Sequence, residues 1–162
     1  MKSDSLAWCC KQKKGIKLED PNEMLCEVYK KKAQSALNML TAALEKEEID
    51  WITSTAYYAR YFAVYAILQK CGIKSEIHDC TITLVNVLAE EQILEKELHT
   101  ELERAKGMRI ETQYYAPTDL DVQQLKDDAA GAREFVLRVE QSIEKITDKH
   151  VHAIRTKLSE HI

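Results

Sequence analysis

Residues 54–78 read STAYYARYFAVYAILQKCGIKSEIH, and this segment decides the fold because it combines small, aromatic and helix-ending residues. At helical spacing, small and apolar residues fall on one face, and tyrosines recur every fourth residue beside it. The small and apolar set is Ile52, Ala56, Ala59, Ala63, Ala66 and Ile67, and the aromatic stripe is Tyr57, Tyr61 and Tyr65. Gly72 suits the left-handed position that follows a helix end. The segment therefore predicts a long helix that other helices approach closely.

The aromatic stripe of Tyr57, Tyr61 and Tyr65 has two interpretations. Residues at this spacing most often pack in a core. The same large aromatic area also suits contact with a second subunit or a ligand. We therefore name the three tyrosines as candidate interface residues of a homodimer and keep core packing as the alternative.

The composition of the 162-residue chain predicts helices throughout. The sequence has only four glycines and two prolines, and no long alternating pattern indicates a strand. A chain of this length can bury a core without disulfides or metals. We predict an all-α fold, an up-and-down bundle of four to five helices.

Capping signals predict the helix bounds. Asp20 caps a first helix over residues 21–45, and Asp50 caps a second that ends near residue 70. Ser75 caps the third helix, while residues 76–112 form either one helix or two. Thr118 or Asp119 caps the closing long helix.

The N-terminal residues differ in charge from the rest of the chain. Residues 1–17 carry five lysines and one aspartate, a net charge of +4, which leaves −8 on the remainder. We predict a flexible basic arm over residues 1–19 and a helical bundle over residues 20–162. The acidic remainder argues against a globally basic nucleic-acid-binding protein.

The cysteines and the absence of targeting signals predict a soluble cytoplasmic protein. The first residues lack the apolar core of a signal peptide, and no segment offers about 18 uncharged apolar residues for a membrane span. Five cysteines in no framework spacing fit a reducing compartment. We interpret the adjacent Cys9 and Cys10 as an exposed thiol pair or, less simply, as a metal-binding tail.

Several motifs together resemble the HEPN domain family. Ala56-Tyr57-Tyr58-Ala59, then Phe62, an apolar run to Gly72, Ser75 and His78, is similar to the second helix and following turn of that family. The segment from Arg109 to Tyr115 lies where the family often carries an arginine followed by an aspartate and a tyrosine. Residues 126–143 resemble its closing helix. The resemblance covers residues 23–146 and is nearest to the small stand-alone prokaryotic type often encoded beside a minimal nucleotidyltransferase.

The resemblance implies an interaction module. It implies a homodimer that binds a nucleotide, RNA or a nucleotidyltransferase partner in a toxin-antitoxin-type system. The candidate ligand-binding residues are Arg109, Gln113, Tyr115 and His78. The alternative that the resemblance implies is a divergent HEPN ribonuclease toxin.

The ribonuclease motif of the family is absent at the expected position. That motif is an arginine followed after four to six residues by a histidine, which together can stabilise a developing phosphorane charge and transfer protons. No histidine follows Arg104 or Arg109 at that spacing. Arg155 and His161 have the spacing, but they lie at the end of the chain. We therefore assign no catalytic residue.

No motif indicates a metal or a cofactor. The histidines do not form the paired Glu-x-x-His pattern of a di-iron bundle. The chain also lacks the glycine-rich motifs that bind phosphate groups. We expect neither a metal site nor a cofactor.

Overall fold

The computed structural model describes residues 5–116 and 119–162, which are mostly helical. The helices of these residues are α1 (Leu6–Lys11), α2 (Glu23–Lys46), α3 (Ile49–Cys71), α4 (His78–Glu90), α5 (Glu97–Tyr114), α6 (Val122–Lys145) and α7 (Asp148–Ser159). Two short strands, β1 (Lys17–Leu18) and β2 (Ile73–Lys74), pair antiparallel. The all-α prediction is confirmed, whereas the predicted count of four to five helices is wrong because the described residues form seven.

Three features account for the additional helices. α1 lies inside the predicted arm, and α7 follows the predicted closing helix. Residues 76–112 contain two helices, α4 and α5, and the chain turns between them. Gln92 adopts the left-handed conformation there, with a φ of 58°, and the Ile93 amide donates to the Leu88 carbonyl. This turn ends α4 and redirects the chain into α5.

Several helix starts differ from the predicted caps. Asn22 rather than Asp20 caps α2, because its side chain accepts a hydrogen bond from the Leu25 amide at 2.9 Å. Asp121 rather than Asp119 caps α6, and Thr118 lies outside the described residues. Local capping preferences thus placed these helices correctly to within a few residues only.

The other two predicted caps are also wrong. α3 begins after Glu48, and Asp50 lies inside its first turn. Ser75 is buried ahead of α4, and its hydroxyl donates to the Ile77 carbonyl instead of capping the helix. The predicted end of the second helix is confirmed, since Gly72 follows α3 in the left-handed conformation with a φ of 69°.

α3 is the central helix of the bundle. It packs against α2, α5 and α6, and its alanines are buried where the neighbouring helices approach. Tyr57, Tyr61 and Tyr65 are also buried, with exposed fractions of 0%, 7% and 9% within the single chain. Within the single chain they pack in the core, because α2 and α4 cover their face, and their role in a homodimer interface stays a prediction.

Arg60 joins three helices from inside the core. Its side chain is fully buried, and its guanidinium forms ion pairs with Glu101 of α5 at 3.0 Å and Asp128 of α6 at 3.4 Å. It also donates to the Asp128 carbonyl at 2.7 Å. Arg104 binds the same Asp128 carboxylate from the surface side at 2.9 Å. A buried charge thus obtains the partners that its burial requires.

The N-terminal segment differs from the expected loose arm. In its described part, residues 5–19, Cys9 and Ile16 are fully buried, and β1 pairs with β2. These contacts join residues that are distant in sequence, so local charge and composition could not indicate them. The division of the chain at residues 19 and 20 stays a prediction.

The cysteines also differ from the expected set of thiols. Cys9 and Cys80 form a disulfide across a sequence separation of 71 residues. Cys10, Cys26 and Cys71 are free and buried. Cys9 and Cys10 are therefore not an exposed thiol pair, because α1 packs against the start of α4. Cytoplasmic location stays a prediction.

The C-terminal helix packs against the bundle and the N-terminal segment. Ile154 and Leu158 of α7 are fully buried. The Arg155 guanidinium donates from one nitrogen to three backbone carbonyls, those of Glu19, Cys71 and Gly72, at 2.7–3.2 Å. Arg155 thus has a structural role.

No helix in residues 5–116 or 119–162 is long and apolar enough to cross a membrane.

Candidate functional site

The centre of the candidate site is Arg109, which α5 places against the aromatic rings of α3. Its guanidinium carbon lies 4.9 Å from the centroid of the Tyr57 ring and 5.5 Å from that of Tyr58. One terminal nitrogen makes two long contacts, to the Tyr58 hydroxyl at 3.5 Å and to the Gln113 side-chain oxygen at 3.4 Å. Nε is buried and has no hydrogen-bond partner among the described residues. Arg109 therefore keeps unused donor capacity at an atom that is buried from the surface.

His78 lies at the start of α4 and also contacts Tyr57. Its Nδ1 is 2.6 Å from the Tyr57 hydroxyl, and its ring stacks on Tyr61 with centroids 4.5 Å apart. Burial raises the pKa of Tyr57, so its hydroxyl keeps the proton, and the tautomer of the His78 ring decides which of the two atoms donates in this hydrogen bond. We assign the tautomer that accepts at Nδ1, in which Nε2 carries the ring proton and can donate to a ligand.

The charge state of His78 follows from its surroundings. Burial lowers its pKa, and the positive charges of Arg109 and Lys106 lower it further, although the Asp79 carboxylate acts in the opposite direction. Lys106 and Asp79 form an ion pair that joins α5 to α4 beside the histidine. His78 is therefore neutral near pH 7, and the fixed positive charge of the site belongs to Arg109.

The lowered pKa of His78 predicts that the protein loses stability in acid. Below about pH 6.5, the unfolded chain binds a proton on this histidine before the folded protein does. Protonation also removes the Nδ1 acceptor that Tyr57 uses. We expect the free energy of unfolding to fall between about pH 7.5 and about pH 5.5 in urea denaturation.

The matched variants for this test are His78→Gln and His152→Gln. In His78→Gln, the free energy of unfolding should lose part of its pH dependence. In His152→Gln, which changes an exposed residue, the pH dependence should stay as in the parent protein. An unchanged slope in His78→Gln would contradict the assignment.

Polar contacts between α3 and α5 set the position of Arg109. The hydroxyls of Thr53 and Thr112 are hydrogen-bonded at 2.6 Å inside the bundle. The next residue of each helix makes a second contact, in which the Gln113 side-chain amide donates to the Ser54 hydroxyl. These bonds fix the register of the two helices and thereby the height of Arg109 over the tyrosine rings.

The structure brings together three of the four predicted ligand-binding residues. Arg109 lies over the Tyr57 ring, His78 is hydrogen-bonded to the Tyr57 hydroxyl, and Gln113 contacts Arg109. Tyr115 follows the end of α5 and is 68% exposed. Within residues 5–116 and 119–162, its side chain makes no hydrogen bond or ring contact with Arg109 or His78, although it lines a shallow depression with Gln113. Whether Tyr115 binds a ligand stays a prediction.

Sequence reasoning missed an aromatic strip beside Arg109. The strip consists of the partly buried rings of Tyr58, Phe62 and Tyr29, whose neighbouring centroids are 5.7 and 6.1 Å apart. The Lys32 ammonium lies 5.2 Å from the Tyr29 centroid and 5.5 Å from that of Phe62. Tyr58 and Phe62 are four residues apart, a helical spacing that is visible in the sequence. Tyr29 and Lys32 join them only because α2 packs against α3. The strip therefore has a cation at each end and planar faces between them.

A group of three potential metal ligands lies apart from this site, in the first turns of α2. The donor atoms of Glu23, Cys26 and Glu27 lie within 4.8 Å of one another. Each carboxylate already has a lysine partner, Lys70 for Glu23 and Lys30 for Glu27. Burial, with the two glutamates, raises the pKa of Cys26 to about 11, so its thiol stays protonated near pH 7. This group is therefore poorly suited to bind a metal.

The HEPN domain family model matches residues 26–146 of the chain. The chain therefore belongs to the HEPN domain family. The matched part contains α3 to α6 and with them Arg60, His78 and Arg109, whereas α1, β1 and α7 lie outside it. No curated protein matches the chain.

Proposed function

We propose that this HEPN-family protein is an interaction module that binds a phosphate-bearing ligand, a nucleotide or RNA, at Arg109 and His78 without cleaving it. The observation that carries the proposal is the buried Nε of Arg109, which has no partner among the described residues. A buried donor without a partner costs free energy, and an acceptor that binds after a movement of the guanidinium exposes Nε would recover it.

A phosphate fits the groups around Arg109. The planar guanidinium donates two parallel hydrogen bonds to phosphate oxygens better than an ammonium does. His78, which contacts the same Tyr57, contributes a neutral N–H donor, and its neutrality avoids a further desolvated charge. The rings of Tyr58 and Phe62 extend from Arg109 and can stack with a base attached to that phosphate.

Two features support binding without cleavage. The family's arginine and histidine spacing is absent after Arg104 and Arg109. In addition, Nδ1 of His78 is occupied by the Tyr57 hydroxyl, and the lowered pKa of the histidine weakens it as a base.

The homodimer and the protein partner that we propose are suggested by membership of the HEPN family. HEPN domains commonly dimerise, and we propose a homodimer in a toxin-antitoxin-type system with a nucleotidyltransferase partner. Because the tyrosine stripe is buried, the surface that supports dimerisation is the apolar area around Met39 and Trp51, which are 57% and 61% exposed. These two residues line a common apolar depression between α2 and α3.

A divergent ribonuclease is the second candidate function. The observation in its favour is that Arg109 and His78, which belong to different helices, both contact Tyr57. An arginine and a histidine near one point in space could replace the pair that the ribonuclease motif places on one helix.

The two functions are tested by binding and cleavage in one sample. Purified protein is mixed with adenosine monophosphate and with a labelled single-stranded RNA, and its oligomeric state is measured at the same time. Arg109→Ala should weaken binding by about tenfold or more, because a charge-assisted hydrogen bond is lost. The control Arg133→Ala removes an exposed arginine of α6 and should bind as the parent does.

Each outcome has a distinct meaning. Binding that Arg109→Ala weakens, with intact RNA in every sample, supports the proposal. RNA cleavage that disappears in Arg109→Ala but persists in Arg133→Ala supports the ribonuclease. Binding that is equal in the parent and in a folded Arg109→Ala protein contradicts both functions at this site.

A further inference from the structure

The disulfide between Cys9 and Cys80 joins the N-terminal segment to the start of α4. Both cysteines are fully buried. Cys80 lies two residues after His78, in the first turn of α4. The covalent link therefore ends beside one of the residues of the candidate site.

The disulfide is the covalent attachment of α1 to α4. Non-covalent contacts also hold α1. Leu6 and Trp8 pack against the core, and Cys10 is buried. The Lys17 ammonium donates to the Cys10 carbonyl at 3.0 Å.

α1 has only six residues, and a helix of that length is not stable by itself in water. It contacts α4, and its outer side, including Ala7 and Lys11, is exposed. The following turn folds back on α1, where the Ile16 amide donates to the Cys9 carbonyl at 3.0 Å.

The chain beyond this turn is attached independently. β1 pairs with β2, and the Glu76 amide donates to the Lys14 carbonyl at 2.9 Å. Arg155 of α7 binds the Glu19 carbonyl. The segment thus has two regions of attachment, α1 with its disulfide and apolar contacts and the strand pair, and only the disulfide depends on redox state.

We propose that Cys9–Cys80 is a redox clasp that controls the packing of α1 on the His78 end of the candidate site. A dithiol reductant supplies two electrons and two protons: the S–S bond breaks, Cys9 and Cys80 become thiols, and the dithiol is oxidised to its disulfide. α1 then separates from α4 while β1 and the helical bundle stay in place. The reaction passes through transient opening of α1, because the native structure buries both sulfur atoms.

Direct contacts transmit the change to His78. Thr81, next to Cys80, donates to the Ser75 hydroxyl at 3.1 Å and contacts the Tyr61 hydroxyl at 3.5 Å. The Tyr61 ring stacks on His78. Loss of the covalent link at Cys80 therefore changes the surroundings of the His78 ring through Thr81 and Tyr61.

The test compares oxidised protein with protein kept in dithiothreitol, using amide hydrogen exchange and the NMR signals of the His78 ring. We expect amide protection in residues 6–16 to fall by about tenfold or more on reduction, with α3 and α6 unchanged. The His78 signals should shift. Cys9→Ser without reductant should reproduce the reduced state, and Cys71→Ala, which removes a buried free thiol, should respond to the reductant as the parent does.

Three results would overturn the proposal. Unchanged protection of residues 6–16 would mean that the disulfide does not hold α1. Loss of amide protection in α3 and α6 as well would mean that the disulfide stabilises the whole bundle and not α1 in particular. Release of α1 with unchanged His78 signals would exclude the coupling. The test needs no ligand, so it is independent of the binding proposed at Arg109.

Discussion

Arg60→Met lowers the free energy of unfolding by about 3–5 kcal/mol, the usual cost of removing one partner from a buried ion pair. Methionine approximates the length of arginine and leaves little empty space. The cost arises from Glu101 and Asp128, whose carboxylates have exposed side-chain fractions of only 20% and 6% and lose their central partner. The Asp128 carbonyl also loses a donor. Urea denaturation followed by circular dichroism measures the change.

The control for Arg60 is Arg104→Met. Arg104 binds the same Asp128 carboxylate, but its side chain is 51% exposed. Solvent screens such a pair, and we expect its loss to lower the free energy of unfolding by less than about 1 kcal/mol. If Arg60→Met were no more destabilising than Arg104→Met, the buried network would not hold α3, α5 and α6 together.

Gly72→Ala should lower the free energy of unfolding by about 2 kcal/mol or more. The glycine has a φ of +69°, which costs a residue with a Cβ about 1–2 kcal/mol. A Cβ at this position would also lie 2.4 Å from the Glu19 carbonyl oxygen and 2.5 Å from a guanidinium nitrogen of Arg155. Relief of these contacts requires movement of the backbone before α2 or of α7. Thermal or urea unfolding measures the loss.

Gly107→Ala is the matched control and should have the opposite sign. Gly107 lies within α5, and a Cβ there would meet nothing within 4 Å. Alanine in a helix interior is favoured over glycine by about 0.5–1 kcal/mol. Equal effects of the two substitutions would contradict the account of the α3 end.

The sequence predicted the parts of the fold that local patterns determine. The alanine face and Gly72 correctly indicated α3 and its end, because helix periodicity and the left-handed conformation leave signals within a few residues. The packing of α1 and the Cys9–Cys80 disulfide left no such signal, since each joins segments that are distant along the chain. Arg60 was missed because an arginine in an amphipathic pattern is ordinarily assigned to the surface. Its position between Ala59 and Ala63, on a helix buried on nearly every side, was the available clue.

The candidate site was predictable in part for a similar reason. The family resemblance indicated Arg109, Gln113 and His78, and the structure places these side chains around Tyr57 and Tyr58. The sequence alone could not show that Arg109 and His78 both contact Tyr57, because that arrangement depends on how α4 and α5 pack on α3. Tyr115 follows the same motif but lies beyond the helix end, where the direction of the chain changes.

The three carbonyls bound by Arg155 mean that the limits of the family match are not the limits of the folded unit. The match spans residues 26–146, yet the donor that binds the Cys71 and Gly72 carbonyls comes from α7, after its end. The same guanidinium binds Glu19, before its start. A protein cut at residues 26 and 146 would lose this donor and expose the apolar residues that Ile154 and Leu158 cover. The N-terminal and C-terminal additions thus act as one shared cap over the end of the central helix.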